Sequence, residues 1–293
     1  MSEIFTNIPE IRYEGPDSKN AFAFKYYDPE KVVLGKKMSE HLPFAMAWWH
    51  NLCANGTDMF GRGTADKRFG AEKEGTMEHA KAKVDAGIEF MKKLGIKYYC
   101  FHDVDLVPEA DDINETNRRL DEITDYILEK TKGTDIKCLW GTANMFSNPR
   151  FMNGAGSTND VDVYCFAAAQ VKKAIEMTVK LGGKGYVFWG GREGFVEKKY
   201  ESFNTELGQK IRKGEATLSE LAERAGELKS VKTPMSGNQE YLEGVFNNIL
   251  LSGFKYFIPL ISSQKEPDAF APGSFISFRL FHILSYLKGF SVG

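Results

Sequence analysis

A chain of 293 residues, 42% hydrophobic and 27% charged, is long enough for one sizeable folded domain or two small ones. Its formal charge of -2, with no basic stripe, leaves no electrostatic footprint for nucleic acid and favours a small-molecule substrate. Lys255, Arg279, His282 and Lys288 interrupt the most apolar stretches, so no membrane span is expected.

The first residues, MSEIFTNIPEIRYEG, have neither a basic start nor an apolar core, so no secretory signal is expected and the cytoplasm is the expected compartment. From about residue 40 to 194 one unit repeats: an apolar strand, a polar or glycine-rich loop, an amphipathic helix. Strands are expected at 43–47, 97–101, 136–140 and 185–189, with helices beginning near Met77, Glu115 and Asp162. In the first helix Ala80, Val84, Ile88, Met91 and Leu94 share one face, with Thr76 as start signal and Gly95 as stop signal. Such alternation predicts right-handed βαβ units and a parallel sheet, an α/β fold with about four units of a (β/α)8-type barrel. Residues 195–250 carry helical signals only: Phe195 to Phe203, a capping box Thr217-x-x-Glu220, and Ser236-x-x-Gln239 ahead of Tyr241 to Ile249. The stretch 251–293, with seven phenylalanines and three prolines, follows neither pattern. The four cysteines, Cys53, Cys100, Cys138 and Cys165, form no CxxC pair, and buried reduced thiols are expected.

Chemistry concentrates where the strands end. His102, with Asp105 three residues on, has the spacing of a proton shuttle in which the acid orients the imidazole, the alternative being a hydrogen-bonded loop histidine with no further role. Trp49, Trp140, Phe146, Val187 and Trp189 fall at or just after three strand ends, where they can wall a water-poor pocket for a sugar or similar polyol. The GGREG segment (190–194) lacks the lysine and spacing of a P-loop, and no GxGxxG follows a strand, so nucleotide binding is not expected. Asp103, Asp105, Glu109, Asp111, Asp112 and Glu193 show no spacing that recommends a metal, and Asp111 and Asp112 read as a solvated loop.

The segments WWHNLCANGTDMFGRGT (48–64), FHDVDLVPE (101–109), ETNRRLDEI (115–123), LWGTANMFSNPRFMNGA (139–155) and VFWGGREG (187–194) resemble those of the longer, second class of xylose isomerases, in the same order. On this resemblance, residues 1–194 are similar to that family's N-terminal half and 195–250 to its C-terminal helical extension. It implies a (β/α)8 barrel that interconverts xylose and xylulose with two divalent cations such as magnesium, manganese or cobalt, as a homotetramer. It implies roles for His102 in sugar ring opening, for Asp105 in orienting it, and for Trp49, Trp140, Thr142, Phe146, Val187 and Trp189 in the sugar pocket. Phe60, counted with them among the substrate-binding residues, matches an aromatic that reaches into a neighbouring subunit.

In the family, GGREG is followed by four further βα units that hold the catalytic lysine and the metal ligands, whereas here it runs into the extension. From Phe195 onward there is one aspartate, Asp268, and one histidine, His282, too few for a site with two hard cations. The expected protein is therefore a member of that family without metal ligands of its own, impaired in the hydride shift and prone to self-association through open strand edges. The rival reading is a non-catalytic, truncated or spliced product that either does nothing or joins the subunits of a full-length isomerase. A third, an epimerase-like barrel enzyme, is disfavoured by the motifs at 139–155 and 190–194.

Overall fold

Three amphipathic helices and the strands before them are built from the apolar periodicities in the sequence. The computed structural model describes residues 3–57, 63–193 and 201–228, all within one unit, Met1–Tyr241. Phe60, most of Phe195 to Phe203, the helix expected at Tyr241 to Ile249 and the stretch 251–293 lie outside the described residues.

Strands β1 (Ala45–Ala47), β2 (Tyr98–His102), β3 (Lys137–Thr142) and β4 (Gly185–Tyr186) form one parallel sheet in sequence order. Register places Met46 opposite Tyr99, His102 opposite Thr142, and Trp140 opposite both Cys100 and Gly185. The connections are helices α1 (Met77–Leu94), α2 (Ile113–Thr131) and α3 (Val161–Lys180). Thr76 caps α1 by accepting from the His79 N–H, and Gly95 ends it in the left-handed conformation (φ 66°) that glycine adopts without a Cβ penalty. Helix α2 starts two residues earlier than expected because Asp112 accepts from the Asn114 N–H. Asp112 is thus an exposed helix cap as well as a solvated acid.

The core lies between the helices and one face of the sheet. Met46, Trp48, Val84, Met91, Tyr99, Phe101, Leu120, Ile123 and Cys138 belong to it, and in β2 the alternate residues Tyr99 and Phe101 both turn into it. Gly141 lies where α3 crosses β3, and a Cβ there would meet Thr178 Oγ1 at 2.3 Å and Phe101 Cζ at 2.8 Å. Only glycine lets helix and strand approach so closely.

Two expectations need correction. The last strand is two residues long, Gly185–Tyr186, rather than 185–189. Val187 donates one more backbone bond to the Gly141 carbonyl, but its own carbonyl accepts from the Thr142 hydroxyl at 2.6 Å, and a side chain replaces the next rung of the ladder. Phe188 and Trp189 then turn outward, 74% and 56% exposed. Where a helix is expected up to Phe203, Glu201–Asn204 form a 3-10 turn, because Thr205 is extended and caps a new helix, α4 (Glu206–Lys213), through the Gly208 N–H. Helix α4 was not foreseen, although Thr205 and Gly214 (φ 73°) are its start and stop signals. The Thr217–Glu220 capping box does open a helix, α5 (Leu218–Glu227). With α3, these two helices close a second cluster around Phe151, Phe166, Phe203, Ile211 and Leu221.

Candidate active site

His102 is the last residue of β2, and Asp105 sits in the four-residue helical turn Asp103–Leu106 that follows. One carboxylate oxygen, Asp105 Oδ2, accepts from the backbone N–H of His102 at 2.8 Å and lies 3.0 Å from its Nδ1. An ionised carboxylate only accepts, so Nδ1 carries the proton and Nε2 is the nitrogen available for exchange. Both side chains are nearly buried, at 12% and 9% exposure.

Aromatic rings wall the imidazole. Trp49 stands edge-on to it with centroids 4.6 Å apart, Phe146 does so at 5.6 Å, and Trp140 lies 5.7 Å from Trp49. Trp49 reaches this position from a π-helical turn, Trp49–Cys53, directly after β1 and Trp48. Its neighbour Trp48 is instead a core residue, 1% exposed. Thr142 faces His102 across the β2–β3 ladder and bonds the Val187 carbonyl, so Val187 is tied to the same strand end. Trp189 stands further out; a Cβ on Gly191 would meet its Nε1 at 2.6 Å and Phe146 Cδ1 at 2.7 Å, so a glycine separates the two rings. The structure thus brings His102, Asp105, Trp49, Trp140, Thr142, Phe146 and Val187 to one end of the sheet, with Trp189 at its exposed margin.

Several supporting residues were not anticipated. The 2% exposed carboxylate of Asp103 accepts from the Asn144 N–H, the Gln170 amide and the Val104 N–H. Burial outweighs these bonds and pushes its carboxyl up to about 6. Tyr186 accepts from the Ala143 N–H through a phenol that burial pushes up to about 12. Lys83 donates to the Asp105 carbonyl at 2.5 Å. The signal for Lys83 was in the periodicity: it falls three residues after Ala80, on the apolar face of α1.

The acidic groups nearby are already committed to protein partners. Glu109 holds Arg150 and Asn148, and Glu193 accepts from the N–H groups of Ala155, Gly156 and Ser157 and from the Ser157 hydroxyl. Burial would raise the Glu193 carboxyl, but those donors hold it below its ordinary value. No group of three or more His, Cys, Asp or Glu side chains among the described residues is disposed to hold a metal ion. This donor set does not fit a pair of hard cations, which need several converging oxygens.

A parallel α/β sheet with a histidine–carboxylate pair and an aromatic wall at the carboxyl ends of its strands defines an α/β protein of the class whose sites form at those ends. Sequence comparison specifies the relatives. The chain is 51% identical to the xylose isomerase of Lactococcus lactis subsp. cremoris (strain SK11) over 205 residues, 70% of this chain and 51% of that protein. With the xylose isomerase of Listeria welshimeri serovar 6b it shares 54% identity over 191 residues, 65% of this chain and 43% of the relative. With that of Bacteroides thetaiotaomicron it shares 54% over 194 residues, 66% and 44%. Residues 196–250 match the XylA2 C-terminal domain family. The chain is therefore a homologue of the xylose isomerases, and it spans about half the length of the curated relatives it matches.

Proposed function

We propose that this chain carries the sugar-binding, ring-opening part of an aldose–ketose isomerase site, with D-xylose and D-xylulose as the sugar pair. The observation that carries the reading is the His102–Asp105 pair inside its aromatic wall, in a chain more than half identical over its matched length to xylose isomerases.

In this reading Nε2 of His102 accepts the proton of the anomeric hydroxyl as the C1–O5 bond breaks and C1=O1 forms, and the protonated imidazole returns that proton to O5, which becomes the hydroxyl of the open chain. Asp105 holds the imidazole in the tautomer that permits this and stabilises its protonated form. Trp49, Trp140, Phe146 and Val187 exclude water from the sugar, Thr142 holds the strand end that carries Val187, and Trp189 covers the outer margin. Phe60 is assigned an intersubunit contact in a homotetramer. The proposed organisation is 1–194 for the half-barrel, 195–250 for the helical extension and 251–293 for a stretch unlike the family, in a cytoplasmic protein.

Hydrogen transfer between C2 and C1 requires stabilisation of charge on the neighbouring oxygens, the part that two divalent cations such as magnesium, manganese or cobalt would supply. The described carboxylates do not fit such ions, and no step is routed through them. The chain by itself is therefore expected to bind the sugar and not to convert it. Purified protein with xylose and each of the three metals tests this, with His102→Gln as control. Quenching of tryptophan fluorescence without xylulose formation supports the reading. Conversion that a chelator abolishes overturns the impairment, and no binding overturns the pocket.

The match of residues 196–250 to the XylA2 C-terminal domain, directly after GGREG, favours a second reading, a non-catalytic product or a subunit that joins a full-length isomerase. Co-purification of the two from a mixed expression would support it.

A further inference from the structure

Lys83 lies on the core face of α1 and is 8% exposed. Its ammonium donates to the main-chain carbonyl of Asp105 at 2.5 Å and lies 3.8 Å from Cys53 Sγ. The Cys53 thiol donates to the same carbonyl at 3.5 Å, so both of that oxygen's acceptor positions are used. No carboxylate among the described residues pairs with Lys83. A buried ammonium with no counter-ion is costly, and an apolar side chain of similar length would satisfy the packing of α1 without that cost.

The carbonyl it holds belongs to the residue that orients His102. The turn Asp103–Leu106 is four residues long, too short to persist on its own. It is restrained at its start by Asp103, which Asn144 and Gln170 hold, and at Asp105 by Lys83 and Cys53. Asp105 Oδ2 must sit within hydrogen-bond reach of two donors on His102 at once, and rotation of the Asp105 peptide would break both contacts.

We propose that Lys83 is a positioning residue for the His102–Asp105 pair: by anchoring the Asp105 carbonyl it holds the carboxylate against Nδ1 and keeps His102 in the Nδ1–H tautomer. The proposal rests on the reading of His102 as the ring-opening group, and extends that machinery to a lysine on a helix behind the sheet.

The test is the tautomer itself, read by nitrogen NMR of the full chain labelled at histidine, with His102→Gln assigning the signal. The native protein is expected to show a single Nδ1–H form at His102. In folded Lys83→Met that form is expected to be lost to a mixture containing Nε2–H, and in Lys83→Arg, which keeps a cationic donor, to be retained. An unchanged tautomer in folded Lys83→Met overturns the proposal. If Lys83→Met does not fold, Lys83→Gln, whose amide is one bond shorter, is read in the same way, with loss expected and retention overturning. Failure of both to fold would make Lys83 a residue of stability alone and also overturns it. A native protein without a fixed tautomer strikes at the ring-opening reading itself, whereas a fixed native tautomer that the variants leave intact strikes at Lys83 only.

Discussion

Asp103 is a carboxylate buried beside the candidate pair, and its raised pKa of about 6 makes it a stability switch. A group whose folded pKa lies above its unfolded value of 3.8 contributes stability that is present below that value and lost as pH rises through about 6. The difference corresponds to roughly 3 kcal/mol at most, taking about 1.4 kcal/mol per unit. Urea denaturation between those pH values is expected to show stability falling as pH rises, and Asp103→Asn to flatten that dependence. The amide also gives the buried Gln170 Oε1, which has no partner, a donor to accept from once that side chain turns over. Asp105→Ala acts in the opposite sense, leaving the His102 backbone N–H and Nδ1–H unpaired in a nearly buried site. It is expected to cost about 1–3 kcal/mol in chemical denaturation. His102 and Asp105 were legible because their spacing is local. Asp103, one residue along, was not separable from them until Asn144 and Gln170 came in from other elements.

The elements were legible wherever a period met a cap. Thr76 and Gly95 bracket α1 as expected, and Thr76→Ala is expected to lower stability by about 1 kcal/mol, measured by thermal unfolding. Helix α4 is not legible in the sequence because Gly208 occupies the third helical position, where a capping box would place Glu or Gln, and Thr205 alone is a weak signal. The glycine is required there, since a Cβ would lie 2.5 Å from the Phe203 Cα. Strand β4 ended early because of a side chain on its neighbour, Thr142, which no reading of residues 185–189 alone contains. Gly141 gives the sharpest element-scale prediction. Gly141→Ala pushes β3 against Phe101 and Thr178 and is expected to cost about 1–3 kcal/mol, with a lowered midpoint in urea and an unchanged slope.

Across the molecule, the sheet ends at β1 and β4, each with a single strand neighbour among the described residues. Parallel sheets are ordinarily covered on both faces, and α1–α3 pack on one. Light scattering during gel filtration is expected to give a mass above the 33.0 kDa of one chain. A well-behaved species at 33.0 kDa that binds no hydrophobic dye would contradict that expectation. The four thiols fit the same picture of a reduced interior: burial pushes Cys53 and Cys100 up to about 11 and Cys138 and Cys165 up to about 12, so none is poised to react near neutral pH. Residue order alone was enough for the βαβ succession, the caps of α1 and α5, and the gathering of polar and aromatic residues at strand ends, because periodicity and capping act over fewer than about eight residues. It could not say where β4 stops, or that a lysine on α1 reaches the Asp105 carbonyl. Those outcomes depend on register, on the approach of one element to another and on which buried donors find acceptors, and such contacts join residues tens of positions apart only once the chain has packed.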